Sequence, residues 1–211
     1  MNITVWADFV CPFCYIGSTN LAAALDEAGI DDAKIEYKSF QLSPSTQYVE
    51  GSDYWEALAK EKGIDVEQLM PSRDALLQMA GESGLDFRID DAKNANTTDA
   101  HRLFQLAKQN GKGDAFFLRL YRAIFTESVN ISDHAELKRL ADEVGLDADS
   151  VAEVLTNEDK FSTETRNEIM QAHQVGVQGV PFFVFNDKYA VSGAQPKEGF
   201  VEALKQIAAE G

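Results

Sequence analysis

The chain is short of cysteine, histidine, basic residues and long apolar runs, and each shortage excludes something. Only two of its 211 residues are cysteines, so a small scaffold stapled by several disulfides is ruled out. A structural zinc site would find in Cys11 and Cys14 only two of the roughly four ligands it wants. No second Cys-x-x-Cys exists, and His101, His134 and His173 lie far apart in sequence. No metal is therefore expected.

Lysine and arginine number 19 against 35 acidic residues, a formal net charge of −16. Such a surface repels phosphate backbones and anionic lipid, so neither nucleic acid nor a membrane is an expected partner. No stretch approaches the ~18 consecutive apolar residues of a membrane span. The opening "MNITVWADFV" carries no Lys or Arg and so lacks the basic start of a secretory leader. The expected address is the cytoplasm, where thiols are held reduced and a lasting structural disulfide is unusual.

With 45% hydrophobic and 26% charged residues, the composition is that of a globular protein, long enough for one core with an inserted subdomain. "ITVWADFV" is β-branched and aromatic on both faces, with Ile3, Val5, Ala7 and Phe9 on one and Trp6 and Val10 on the other. That pattern predicts a buried central strand over 3–10. Pro12 then opens a helix along Cys14, Ser18, Leu21, Leu25 and Ala28 that stops at Gly29. "AKIEYKSFQL" alternates like a second strand.

From about Ser52 to Gly176 only helical segments are predicted: Asp53–Lys62, Pro71–Ser83, Thr97–Asn110, one carrying Phe117 to Phe125, one capped by Ser132, a short one at Val151–Leu155, and Lys160–Val175. Strands return in "VPFFVFNDKYAVSG", a hairpin turning at Asn186-Asp187 with Phe183 and Phe185 as core residues. A last helix after Pro196 aligns Phe200, Leu204 and Ile207. The expected order is β-α-β over 1–48, a helical insertion over 49–160, and α-β-β-α over 161–211.

The two cysteines sit in "VCPFCY" and admit three readings: a redox couple, half a metal site, or ordinary core thiols. Position favours the first. A thiol at a helix N-terminus meets unpaired N–H groups and the positive end of the helix dipole, which stabilise the thiolate. Cys11, emerging first, is the candidate nucleophile. Cys14, a turn deeper, keeps its proton until it attacks the mixed disulfide. Far along the chain, "GVQGVPFFVF" places Pro181 before a strand, and the free backbone of such a turn can hold an extended peptide. Phe13 and Phe182 are candidate walls of that groove.

Together, "DFVCPFCYIG" at 8–17, "FQLSP" at 40–44, "NTTDAHRL" at 96–103, "GVQGVPFFVF" at 176–185 and "SGAQP" at 192–196 resemble the DsbA-like branch of the thioredoxin superfamily. The resemblance is nearest to its FrnE-like cytoplasmic members and covers nearly the whole chain. It implies an α/β thioredoxin fold with an inserted all-helical domain, and a disulfide oxidoreductase or isomerase centred on Cys11 and Cys14. It also implies a cis Val180–Pro181 bond, with Val180 and Pro181 facing substrate.

Two departures from the family pattern stand out. Phe13 occupies the place between the cysteines where a cationic His is common, and Val5 occupies the place of a buried acid found in many members. Asp8 and His101 are the alternative candidates for relaying Cys14's proton. The bland reading of Asp8 is a solvated or capping carboxylate, and that of His101 a surface or packing residue. The resemblance implies no resident cofactor beyond the Cys11–Cys14 pair and leaves glutathione open as a reductant. Protein or peptide thiols are the expected partners of a monomer or homodimer. The competing functions are a glutathione-dependent isomerase or transferase, because 2-hydroxychromene-2-carboxylate isomerases and kappa-class glutathione transferases look similar in layout, and a non-catalytic peptide-binding or chaperone module.

Overall fold

The computed structural model describes residues 1–210. Strand β1 (Asn2–Ala7) pairs in parallel with β2 (Lys34–Ser39), and antiparallel with β3 (Phe182–Phe185). Strand β4 (Tyr189–Ser192) closes the hairpin with β3, giving the order β2-β1-β3-β4. The central place of β1 explains its two apolar faces. Val5 and Ala7 are fully buried on one side, and Trp6 is buried on the other. Asn186 and Asp187 both adopt positive φ, 50° and 56°, the conformation that two-residue hairpin turns require.

The parallel crossover from β1 to β2 is made by α1 (Pro12–Glu27). The helices α2 (Tyr54–Lys62), α3 (Met70–Glu82), α4 (Thr98–Gln109), α5 (Gly113–Phe125), α6 (His134–Glu143) and α7 (Ala148–Thr156) follow β2. Then α8 (Ser162–Gln174) leads to the hairpin, and α9 (Lys197–Glu210) ends the described chain. One face of the sheet carries α1 and α9, whose Phe200 ring stands edge-on to Phe183 with centroids 4.9 Å apart. The other face meets α8, where the Trp6 indole donates to the carbonyl of Glu168 at 3.1 Å. The helices between β2 and α8 share one continuous buried core with the sheet and α1, running from Val5 through Phe9 to Phe104, Phe117 and Leu137.

Several boundaries differ from expectation. Strand β1 ends at Ala7, and Asp8, Phe9 and Val10 form the turn into α1. The Cys11 N–H donates to the Asp8 carbonyl at 3.2 Å, which closes that turn just before Pro12, a residue with no N–H to extend a ladder. Phe9 accordingly leaves the strand face and packs among the rings of Phe104, Phe117 and Tyr121. At α6 the cap is Asp133, whose carboxylate accepts from the Ala135 N–H at 2.7 Å. Ser132 instead donates its hydroxyl to Asn130. Strand β2 is shorter at both ends than the alternating pattern of 33–42.

Candidate active site

Strand β1 delivers the chain to α1 so that Cys11 is the N-cap residue, in an extended conformation (φ −88°, ψ 107°), with Pro12 in the first turn. Cys14 lies one turn further in and is fully buried, whereas Cys11 keeps 3% of its surface. Both are free thiols. Helix α1 approaches the hairpin through Gly17: a Cβ there would meet the Phe183 ring at 3.1 Å and Pro181 Cγ at 3.2 Å, tighter than ordinary van der Waals contact. This close approach brings the turn at Val180 and Pro181 against the helix N-terminus. The bond between them is cis, and the Cys11 thiol donates to the Val180 carbonyl at 3.5 Å. A helix N-terminus, two thiols and a proline turn thus converge across some 170 residues of sequence.

Burial is the first cause that holds the Cys14 thiol well above its ordinary range, reinforced by its hydrogen bond with Cys11 and by the charge of Cys11. The Asp8 carboxylate pushes it up further, while hydrogen bonding from the Asp8 main chain pulls the other way. Cys14 is therefore held as a thiol. Around the pair stand three tyrosines. Tyr54, the first residue of α2, is raised by burial and by Cys11 beside it. Tyr121 of α5 is raised by burial and then by Cys14 and Cys11. Tyr37 of β2 is pushed up to about 12 by burial. All three keep their hydroxyl protons at neutral pH.

Asp8 and His101 are neither solvated nor peripheral. Both side chains are wholly buried, and His101 Nε2 lies 3.1 Å from Asp8 Oδ1. Asp8 Oδ2 accepts the Leu42 N–H at 2.7 Å, and the Asp8 carbonyl accepts from the Tyr121 hydroxyl at 3.1 Å. The turn at Asp8 points its carboxylate inward, away from solvent, where α4 and the loop after β2 supply its partners; His101 is a packing residue, its ring centroid 4.6 Å from that of Phe9, that also meets this carboxylate. Loop and helix are tied together as well. Gln41 donates to Thr98 at 3.0 Å, and Asn96 to the carbonyls of Pro44 and Thr46. The separated "FQLSP" and "NTTDAHRL" segments are therefore one structural unit at the floor of the site.

Phe13 is 39% exposed beside the dithiol. Phe182 is half-buried and packs its ring on Trp6, with centroids 6.5 Å apart. Phe183 and Phe185 are fully buried, as expected of core residues. His134 hydrogen-bonds Asp99 at 2.7 Å, and His173 packs its ring against Phe40; neither joins the dithiol. Among the described residues no group of three or more His, Cys, Asp or Glu could hold a metal. No helix among them is long and apolar enough to cross a membrane. Sequence reasoning missed Tyr54 and Tyr121, whose hydroxyl positions depend on how α2 and α5 pack and leave no local motif.

The β2-β1-β3-β4 sheet, the dithiol at the start of α1 and the Val180–Pro181 turn that faces it together define a thioredoxin-type fold. The chain belongs to the DSBA-like thioredoxin domain family, whose model it matches over residues 2–205. It is 30% identical to the uncharacterized protein YwbO of Bacillus subtilis strain 168, over 97% of this chain and 96% of that one. The crystal structure of a probable DsbA oxidoreductase from Streptomyces coelicolor superposes with a TM-score of 0.91 at 34% identity, covering 100% of this chain and 91% of that one. A 2-hydroxychromene-2-carboxylate isomerase structure superposes at 0.74 with 14% identity, covering 100% and 97%, which is likeness of fold alone. One fold thus carries different chemistries, and the site has to decide between them.

Proposed function

We propose that this protein exchanges thiols and disulfides with protein or peptide substrates, as an oxidoreductase or disulfide isomerase of the FrnE-like kind. The reading is carried by one observation, the Cys11 sulfur at the cap of α1 within 3.5 Å of the Val180 carbonyl. In reduction, the Cys11 thiolate attacks one sulfur of a substrate disulfide, and the other leaves as a thiolate. Cys14 then attacks Cys11, the Cys11–substrate bond breaks, and the second substrate sulfur leaves with the electron pair. The dithiol ends oxidised and the substrate reduced; in oxidation every step runs backwards.

Val180 and Pro181 hold an extended segment of the substrate by main-chain pairing, with Phe13 and Phe182 as apolar walls. No resident cofactor enters the cycle, and glutathione serves as the external reductant. The protein works in the cytoplasm, as a monomer or homodimer, and the helices of 49–160 form an inserted unit that supplies the floor of the site.

Both cysteines being present favours thiol exchange over a glutathione-dependent isomerase, whose relatives usually carry Ser at the position of Cys11. Insulin-disulfide reduction by the wild type and Cys11→Ser separates the readings. Loss of all activity in the variant is expected. Retained isomerase or holdase activity, in a wild type that reduces no disulfide, would replace the reading.

A further inference from the structure

We propose that Asp8 and His101 together take up the proton that Cys14 releases when it resolves a mixed disulfide, which makes them positioning residues of the second chemical step. The inference rests on the thiol-exchange reading above and deepens it.

The need arises from burial. Cys14 has no exposed surface, so its proton has no direct route to water at the moment the sulfur must become a nucleophile. The ionisable groups that act on Cys14 or lie packed around it are few. Cys11 is the partner sulfur. Tyr37 from β2, Tyr121 from α5 and, facing Cys11, Tyr54 from α2 hold their own protons firmly and so cannot accept another. Asp8, from the turn between β1 and α1, is the one carboxylate among the groups acting on that thiol.

Asp8 is built to accept. Its carboxylate is wholly buried and has two hydrogen-bond partners, His101 Nε2 and the Leu42 N–H. With Asp8 ionised and the ring neutral, Nε2 donates in that contact and Nδ1 holds a lone pair. That Nδ1 is buried and has no hydrogen-bond partner. An orphaned buried polar nitrogen is costly to keep, and here it belongs to a ring whose other nitrogen touches the carboxylate. The pair therefore offers two places for one proton, the Asp8 carboxylate and His101 Nδ1. The Asp8 carbonyl meanwhile accepts the Cys11 N–H at 3.2 Å, which ties the residue to the dithiol, and both its main chain and its carboxylate act on the Cys14 thiol.

The step balances simply. The Cys14 S–H bond breaks and its proton passes to the pair. The Cys14 sulfur forms the Cys11–Cys14 bond, and the Cys11–substrate bond breaks. The departing substrate thiolate carries away the electron pair, and the Asp8–His101 pair gives up the proton to that thiolate or to water.

The same carboxylate also disfavours the Cys14 thiolate by its charge, and this makes the test sharp. A mere electrostatic brake predicts that removing the charge speeds resolution, whereas a proton acceptor predicts that it slows. Reduced protein is mixed with 5,5′-dithiobis(2-nitrobenzoate) in a stopped-flow instrument across pH. The first thionitrobenzoate released reports attack by Cys11, and the second reports resolution by Cys14. In Asp8→Asn, which keeps an acceptor for the Leu42 N–H, the first phase should stay within about twofold. The second should fall by about 100-fold at neutral pH and recover as pH rises. His101→Gln should slow the second phase less and in the same direction. A second phase that is unchanged or faster in both variants overturns the proposal. If Asp8→Asn slows both phases together, its fold is disturbed and His101→Gln decides. If the wild type releases no second equivalent, the exchange reading itself fails, and the pair has no step to serve.

Discussion

His101 and Arg102 are neighbours on α4, and both side chains are buried, yet their surroundings differ in kind. Arg102 turns toward the end of α7. One terminal nitrogen donates to the carbonyls of Val154, Asn157 and Lys160, and the other nitrogens donate to Asp99. Asp99 is shared in turn with His134. Every nitrogen of that guanidinium has a partner. His101 turns toward the dithiol, meets a single carboxylate, and leaves Nδ1 without one. A fully satisfied buried charge locks helices together, whereas a half-satisfied buried pair beside two sulfurs is a place where a proton can go. One side of the helix is fully paired, and the other carries the open nitrogen on which the proposed proton uptake rests.

The largest effect belongs to the chemical side. Replacing Cys14 with Ala should reduce turnover of dithiol oxidation to the uncatalysed background. Cys11 should still form one mixed disulfide, visible by mass as a single stable adduct. Turnover without Cys14 would break the assignment of the two sulfurs to different roles.

Next comes the other side of α4. Arg102→Ala leaves three helix-end carbonyls and Asp99 without their donor, and breaking a buried charge network of this kind costs about 3–5 kcal/mol. Denaturant unfolding should show that loss. The exchange rate per folded molecule should stay within about twofold of wild type. A variant of normal stability with failed catalysis would erase the distinction drawn between the two neighbours.

A smaller effect follows from the thiols and phenols held protonated. Burial raises the folded pKa of Cys14 and of Tyr37, the latter to about 12. Their stabilising contribution is therefore complete below the unfolded values, about 8.5 for Cys and about 10 for Tyr. Above those values the unfolded chain loses protons that the native protein keeps. Stability of the reduced protein should fall with rising pH by about 1.4 kcal/mol per pH unit for each proton so retained. Urea midpoints measured from about pH 8 to about pH 10 should fall less steeply in Cys14→Ala than in wild type. Equal slopes would contradict the burial of that thiol.

Smallest is the effect of Phe13. A cation at this exposed position stabilises the thiolate, hence the reduced form. Phe13→His should thus make the pair more oxidising, by about 30 mV for each pKa unit by which the thiol is lowered, about 1.4 kcal/mol. A glutathione redox titration checks both sign and size.

Much of this was legible in the sequence where the signal is local. Cys11 and Cys14 announce themselves by spacing around Pro12, β1 by apolar residues on both faces, and the hairpin by Asn186-Asp187. Pro181 was legible from its place before a strong apolar strand. What could not be read is the pairing of Asp8 with His101, 93 positions away, because two polar residues in separate segments carry no sign of each other. Arg102 was harder still, since its acceptors are mainly backbone carbonyls and any sequence there would present them. The end of β1 at Ala7 was hidden because Phe9 and Val10 continue the apolar pattern while the Asp8 carbonyl turns the chain.

Equilibrating the protein in buffers of graded potential, trapping free thiols and reading the mass tests most directly whether Cys11 and Cys14 are one redox couple. The expected result is a single two-electron transition in which both thiols disappear together, with a midpoint between those of thioredoxin, about −270 mV, and DsbA, about −120 mV. Two thiols that remain alkylatable at every potential, or a midpoint as oxidising as DsbA's, would contradict it.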